Sequence, residues 1–139
     1  MTLEKIVAIT GKPGLYEIVS QTKGGLLVQS LIDKKRIPVS AMQNVSVLND
    51  IAIYTYEDEM PLRIIFKNMA EKLSNEEALS HKESNDKLKS FFSEVLPNYD
   101  EERVYASNIK KVVQWYNVLA TNKFDFSSIK EDSNDEEEE

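Results

Sequence analysis

The spacing of apolar residues along this 139-residue chain changes once, close to Pro61. Before that point, apolar and polar residues alternate in short runs interrupted by Gly, Lys and Asn, a pattern typical of β-strands. After it, apolar residues recur every three to four positions, a pattern typical of amphipathic helices. The change of period predicts an α+β protein whose strands precede its helices.

The first half contains short candidate strands joined by tight turns, one of which is Gly11–Gly14. Leu3–Ile9 fits either a helical turn or a first strand, and we favour the short helix or turn. Ser40–Gln43 fits a single helical turn. Pro38 cannot donate to a ladder, so its strand is expected at a sheet edge. The other candidate strands are Leu15–Ser20, Leu26–Leu31, Arg36–Val39, Val45–Val47 and Ile51–Thr55.

Strands this short and this closely joined predict a small SH3-like β-barrel or a bent antiparallel sheet. A flat meander covered by helices is the alternative.

The first helix of the second half is predicted over Leu62–Leu73, where apolar residues follow helical spacing. Pro61 suits the first helical position, and the preceding acidic run Glu57–Glu59 favours a helix N-terminus. Residues 74–83 are polar and predict a loop.

Two further helices complete a three-helix C-terminal part. Ser84 or Asn85 is expected to cap the second helix, and Pro97 ends it. Ser107 is expected to cap a long third helix that ends near Asn122. Two aromatic residues then follow and are expected to fold back onto the body: Phe124 and Phe126.

The pattern therefore divides the chain into three segments. Residues 1–57 form the SH3-like β module, residues 58–130 form a helical part packed on it, and residues 131–139 form an acidic tail. The two halves are expected to pack together, because the sheet and the first helix each need an apolar cover.

The net charge of −7 lies in the tail. Residues 131–139 carry seven acidic groups and no basic one, whereas the other 130 residues carry 17 of each sign. A run of like charge without apolar residues predicts disorder. We interpret it as a solubilising tail, and an electrostatic mimic of nucleic acid is the alternative.

Composition narrows the class of protein. The chain has no cysteine, so disulfides, thiolate metal sites and cysteine nucleophiles are excluded, which suits a reducing cytoplasm. No secretory signal is recognisable at the start, and no apolar run approaches the roughly 20 residues that span a bilayer. We expect a cytoplasmic protein with no membrane partner.

Four stretches resemble an uncharacterised bacterial family of short proteins with a domain of unknown function. The stretches are Ile9–Tyr16, Asp50–Thr55, His81–Asp86 and Ile109–Asn117. The resemblance implies a β-rich N-terminal part, a helical C-terminal part and a bacterial cytoplasmic setting. It implies no catalytic residues.

Motifs for catalysis, cofactors or metals are weak. Gly11–Gly14 contains a Lys, but its glycines are three apart and Pro13 removes an N–H, so it predicts a turn rather than a phosphate loop. His81 is the only histidine and lies in a polar linker, so we expect no metal site. Adjacent acids such as Glu101 and Glu102 are expected to be solvated. We predict no enzyme activity and no cofactor.

Two clusters are candidates for binding. The first is Lys34, Lys35 and Arg36 on one tight turn, with Lys12 on another; residues 1–56 hold six basic and four acidic groups. Basic turns on a small β module suit single-stranded nucleic acid.

The second cluster lies on the last helix, where Lys110 and Lys111 are expected to face away from the apolar stripe, together with Gln114, Asn117 and Val118. Trp115 borders that stripe and fits either a lid on the core or a protein-contact anchor. We predict a non-catalytic binding or adaptor module for another protein. The alternative is a nucleic-acid-binding protein whose acidic tail acts as a competitor. The sequence does not fix the oligomeric state.

Overall fold

The protein is described by a computed structural model that covers residues 3–12, 14–40 and 42–129. The predicted disordered tail lies outside these residues, as do Pro13 and Ala41. The strands are β1 (Ile6–Ile9), β2 (Tyr16–Thr22), β3 (Gly25–Ser30), β4 (Arg36–Ser40), β5 (Val45–Val47), β6 (Ala52–Tyr54) and β7 (Glu59–Pro61). The helices are α1 (Leu62–Leu73), α2 (Asn85–Val95) and α3 (Ala106–Thr121), and 3-10 turns cover Leu3–Lys5, Leu48–Asp50 and Phe126–Ser128.

Five strands form one antiparallel sheet in the order β4-β3-β2-β1-β5. The chain runs outward from β1 to β4 and then returns, so that β5 pairs with β1, with Ala8 opposite Ser46. Pro38 lies on the edge strand β4, as predicted. Leu3–Ile9 combines both possibilities, because a 3-10 turn leads directly into β1.

The SH3-like barrel is not confirmed. The pairings among the described strands leave β4 and β5 at opposite edges, and no closed barrel forms. One face of the sheet carries a smaller apolar cluster that is separate from the main core. Strand residues alone form this smaller apolar cluster, which includes Val7, Tyr16, Val28 and Val39. A register shift between Ile18 and Ser20 adds local twist.

Strands β6 and β7 form a separate two-stranded sheet. β6 was predicted, but it pairs with β7, where Ile53 faces Met60, rather than joining the larger sheet. β7 was not predicted, because three residues that end in a proline carry no readable alternation. β7 lies beyond residue 57, so the two-stranded sheet spans the predicted boundary between the β module and the helical part.

The three helices are confirmed, with one corrected boundary. Ser84 caps α2, since its side chain accepts from the Lys87 N–H. Ser107 does not cap α3, which begins at Ala106, two residues before the start that a Ser107 cap would give. There, Asn108 reaches back and its Oδ1 accepts the Tyr105 N–H at 2.9 Å.

The main core is shared by both halves of the chain. Ile6, Leu15 and Leu48 from the first half belong to the same buried cluster as the apolar stripes of all three helices. Phe124 and Phe126 fold back onto this core, as expected, and Phe126 stacks on Tyr116 with ring centroids 5.0 Å apart.

Candidate functional site

A cleft of about 330 Å³ lies between the end of β1 and the outer face of α3. One wall is the chain from Ala8 to Lys12, and Gly14, Ser46 and Ile51 extend it. The opposite wall consists of three side chains of α3: Lys111, Gln114 and Trp115. The cleft is therefore built from both halves of the molecule.

The loop wall is held by its backbone. Gly11 and Gly14 have φ angles of +85° and +79°, which side-chain-bearing residues rarely adopt. The Lys12 N–H donates to the Ile9 carbonyl at 3.0 Å, and the Thr10 N–H donates to the Asn44 carbonyl at 3.1 Å. These bonds tie the loop to the end of β1 and to the chain before β5, so the exposed Lys12 stands on a fixed turn.

The helical wall follows from spacing along α3. Lys111, Gln114 and Trp115 stand at positions i, i+3 and i+4, which share one face of a helix. The neighbouring Val112 and Tyr116 point into the core and fix the rotation of the helix. Trp115 is half-buried and packs against the main core, while Lys111 is exposed.

Three of the seven predicted binding residues meet in this cleft: Lys12, Lys111 and Trp115. Lys110 is half-buried and does not line it.

The other basic turn is elsewhere. Lys34 Nζ donates to Asn122 Oδ1 at the end of α3, and Arg36 Nε donates to Gln29 Oε1 at 3.4 Å. Lys35 is exposed on the same turn. The predicted basic residues therefore do not form one continuous surface with the cleft.

Two residues of the predicted solvent face of α3 have structural contacts instead. The Asn117 side chain accepts the Ala78 N–H at 2.7 Å and donates to the Leu79 carbonyl at 3.0 Å. Val118 packs against the core. That prediction was wrong for these two, because the polar segment after α1 covers this part of the helix.

Three polar side chains are buried among the described residues, and each holds a turn. Ser30 Oγ accepts the Ile32 N–H, and Thr55 exchanges hydrogen bonds with the backbone of Asp58. Asp100 binds Arg103, with 2.7 Å between Oδ2 and Nε, and this hydrogen bond lowers the pKa of the carboxyl. Within residues 3–12, 14–40 and 42–129, no three His, Asp or Glu side chains group closely enough to hold a metal ion.

Sequence reasoning missed a second surface feature. Tyr54 and Tyr56 on and after β6 are 44% and 58% exposed, whereas Tyr16 is buried. The Arg103 guanidinium lies over the Tyr54 ring, 4.3 Å from its centroid. The pKa of the Arg103 guanidinium is raised, chiefly by the hydrogen bond to Asp100 and to a smaller extent by the nearby Tyr54 and Glu59. The alternation of side chains along a strand predicts that both tyrosines lie on one face. It does not predict whether other elements cover that face.

Comparisons with known proteins agree with the two-part architecture. Residues 3–48 match the family model of a domain of unknown function, DUF5606, and residues 51–119 match that of a second one, DUF6852. A solution NMR structure from Bacteroides vulgatus, a structural genomics target, is 42% identical, covers 89% of each chain and has a TM-score of 0.73. No curated protein matches. None of the helices formed by the described residues has the length and apolar character needed to cross a bilayer.

Proposed function

This chain belongs to the bacterial family of short proteins in which a DUF5606 domain precedes a DUF6852 domain, and we propose that it is a non-catalytic module that binds another protein. The cleft between the β1 loop and α3 is the binding site. Its ligand is a segment of the partner that carries carboxylates beside an apolar or aromatic side chain.

The meeting of Lys12, Lys111 and Trp115 in one cleft carries this proposal. Lys12 and Lys111 supply positive charge, which attracts and orients an acidic segment. Trp115 is half-buried, and Trp is among the residue types enriched where interfaces concentrate their binding energy. Gln114 adds an amide that donates and accepts hydrogen bonds.

The size of the cleft suits side chains rather than a large ligand. Its volume of about 330 Å³ is at the small end of the range for ligand pockets, roughly 300 to 1,000 Å³. A partner would insert one or two side chains and would make its remaining contacts around the rim.

A catalytic role has less support. The three buried polar side chains of the described residues, Ser30, Thr55 and Asp100, are engaged in turns away from the cleft. The cleft itself is lined by two lysines, an amide, an indole, three aliphatic side chains and the hydroxyl residues Thr10 and Ser46, and none of its described lining residues is an acid or a histidine that could act as their general base. This set of side chains suits recognition.

Single-stranded nucleic acid is the second candidate, favoured by the same Trp and lysines, because stacking and cations together bind such strands. Two lysines neutralise two phosphates at most, which gives a salt slope of only about −1.4. Protein is therefore the preferred ligand, and the acidic tail would compete in either case.

Two further proposals concern the type of β scaffold and the cellular compartment. The short strands, the apolar cluster formed by strand residues alone and the return of β5 to β1 support an opened SH3-like module as the scaffold. The absence of cysteine in the sequence supports a reducing cytoplasm as the compartment.

The test is affinity capture from native bacterial lysate with four forms of the protein. These are the full chain, a chain without residues 131–139, the double variant Lys12→Glu with Lys111→Glu, and the matched control Lys23→Glu with Lys89→Glu. Lys23 and Lys89 are exposed and lie outside the cleft, so the control makes the same charge change.

We expect one specific protein to be captured by the full chain and by the control, and lost from the cleft variant. Removing the tail should increase the amount captured, since an intramolecular competitor is gone. Equal capture by both double variants would exclude the cleft. Capture of nucleic acid that weakens with salt and strengthens without the tail would favour the second candidate.

A further inference from the structure

The exposed tyrosines after β6 form a second surface that is separate from the cleft. We define the tyrosine surface as Tyr54, Tyr56, Arg103 and the flanking carboxylates of Glu57, Asp58, Glu59, Glu101 and Glu102. None of these residues lines the cleft. Tyr54 and Tyr56 stand at positions i and i+2, which lie on the same face of an extended chain.

Hydrogen bonds hold both tyrosines in place. The Tyr54 carbonyl accepts the Asp100 N–H at 3.0 Å, and the Tyr56 N–H donates to the Asn98 carbonyl at 3.0 Å. The Tyr56 hydroxyl accepts the Glu101 N–H at 3.3 Å. These bonds fix the backbone at both tyrosines and the hydroxyl of Tyr56, so binding costs little further conformational freedom there, which favours affinity.

The surface already contains one cation stacked on an aromatic ring. The Arg103 guanidinium lies 4.3 Å from the centroid of Tyr54, and Asp100 fixes it through Nε at 2.7 Å. Attraction between a cation and the face of a tyrosine ring is therefore part of the folded structure. Tyr56, the more exposed of the two rings, offers the same chemistry to a partner.

The charge around the rings determines the kind of partner. The two segments that meet here, residues 54–59 and 98–102, contain six carboxylates and no Lys or Arg. Only one of the six, Asp100, forms an ion pair, with Arg103, in these segments as the structure describes them. The other five are exposed, so the surface has a negative potential that attracts cations.

We propose that the tyrosine surface binds an arginine- or lysine-bearing segment of a partner protein. Cationic side chains of the segment stack on Tyr56 and pair with the carboxylates of the turn between β6 and β7 and of residues 101–102. Tyr and Arg are enriched among the interface residues that carry binding energy, which suits a protein partner. The tyrosine surface therefore prefers a cationic segment, whereas the cleft prefers an acidic one.

The experiment uses the full chain labelled with ¹⁵N and three octapeptides in which glycine alternates with arginine, lysine or glutamine. We expect the arginine and lysine peptides to shift amide signals of residues 54–59 and 98–103 in addition to those of the acidic tail, and the glutamine peptide to shift none. Trp115 should not shift, because the cleft is a separate site. Shifts spread over the whole protein, or equal effects of all three peptides, would overturn the proposal.

Two variants locate the interaction. Tyr56→Leu keeps an apolar side chain but removes the ring, and it should lower affinity for the arginine peptide about two- to fivefold. Glu57→Gln with Glu59→Gln should lower it by a similar factor and weaken its salt dependence. The control Glu4→Gln with Glu71→Gln changes two exposed carboxylates elsewhere and should leave affinity unchanged.

Other results would contradict the assignment. If the charge control weakened binding as much as the variant of the surface, attraction would come from the net charge alone. If the free protein dimerised through residues 54–59, with the peptides failing to compete, the occupant would be a second copy of this chain and not a cationic segment.

Discussion

Gly14 is the residue at which the loop of the cleft depends most on the absence of a side chain. Its φ of +79° lies in the left-handed region, and a Cβ there would be 2.5 Å from Ile32 Cδ1. Ile32 is exposed and the end of its side chain can move aside, so the steric contact adds little to the free-energy cost of a substitution at Gly14. The strain of a side-chain-bearing residue in this left-handed backbone conformation cannot be relieved in the same way.

Gly14→Ala should therefore lower the free energy of unfolding by about 1 to 2 kcal/mol, measured by urea denaturation. Gly24→Ala is the matched control, because an added Cβ meets nothing within 4 Å and Gly24 does not have a positive φ. The control should change stability by no more than about 0.5 kcal/mol. Equal effects of both substitutions would contradict the strained turn.

Tyr116 is one of two buried tyrosines, with Tyr99, whose raised pKa links stability to alkaline pH. Burial, with a smaller contribution from Glu76, raises the pKa of Tyr116 to about 12, and its hydroxyl donates to the Glu76 carbonyl at 2.8 Å. The unfolded phenol ionises near pH 10, so the stabilisation is complete below pH 10 and is lost as the pH rises towards 12.

Tyr116→Phe should flatten this loss above pH 10, while costing about 1 kcal/mol at neutral pH for the missing hydrogen bond. Circular dichroism during urea denaturation at pH 8, 10 and 11 measures both effects. Tyr105→Phe changes an exposed phenol and serves as the control. A dependence on alkaline pH that is identical in all three proteins would contradict the role of Tyr116.

Among the secondary-structure elements, α3 starts at a different residue from the one predicted, because a local hydrogen bond fixes its first turn. Ser107 looked like the cap, but Asn108 Oδ1 accepts the Tyr105 N–H and fixes the first turn. A serine is a good cap in general, so the sequence alone could not distinguish these neighbours.

Asn108→Ala should lower the free energy of unfolding by about 0.5 to 1.5 kcal/mol, the contribution of one hydrogen bond, whereas Ser107→Ala should be nearly neutral. Thermal or urea unfolding of the two variants measures the difference directly. A larger loss for Ser107→Ala would restore the helix start predicted from the sequence.

Most elements were predictable because their apolar spacing is long enough to read. α1 follows the i, i+3, i+4 stripe from Leu62 to Leu73, and β2 to β5 follow alternation between turns. β7 was not predictable, since Glu59–Pro61 is too short for a pattern and takes its shape from pairing with β6.

The sequence predicted individual residues of the candidate site, but it did not predict that they lie together. Lys12, Lys111 and Trp115 each stood out in the sequence, but their meeting depends on how α3 packs against the sheet. The exposure of Tyr54 and Tyr56 depends in the same way on which faces the helices cover.

At the scale of the whole molecule, the two halves share one core. Ile6, Leu15 and Leu48 are buried against the helices, and β6 pairs with β7 across the predicted boundary at residue 57. Separating the halves would expose these apolar side chains and break the small sheet. The segments that match DUF5606 and DUF6852 therefore contribute to the same core.

A fragment of residues 1–57 should not fold alone. We expect no cooperative unfolding in urea and poor dispersion of its amide signals, because the cover of its apolar face is missing. The control is residues 1–130, which lacks only the acidic tail and should unfold cooperatively. A fragment 1–57 that unfolds with its own sharp transition would establish an independent β module.

Binding of an acidic segment in the cleft between the β1 loop and α3 can be followed at Trp115, the only tryptophan of the chain. The decisive measurement is Trp115 fluorescence during titration with a glutamate-rich peptide that contains one phenylalanine. We predict a saturable change of emission, with affinity about three- to tenfold lower in Lys12→Gln with Lys111→Gln and unchanged in Lys23→Gln with Lys89→Gln. Unchanged emission at peptide saturation, or equal affinity for all three proteins, would contradict binding in the cleft.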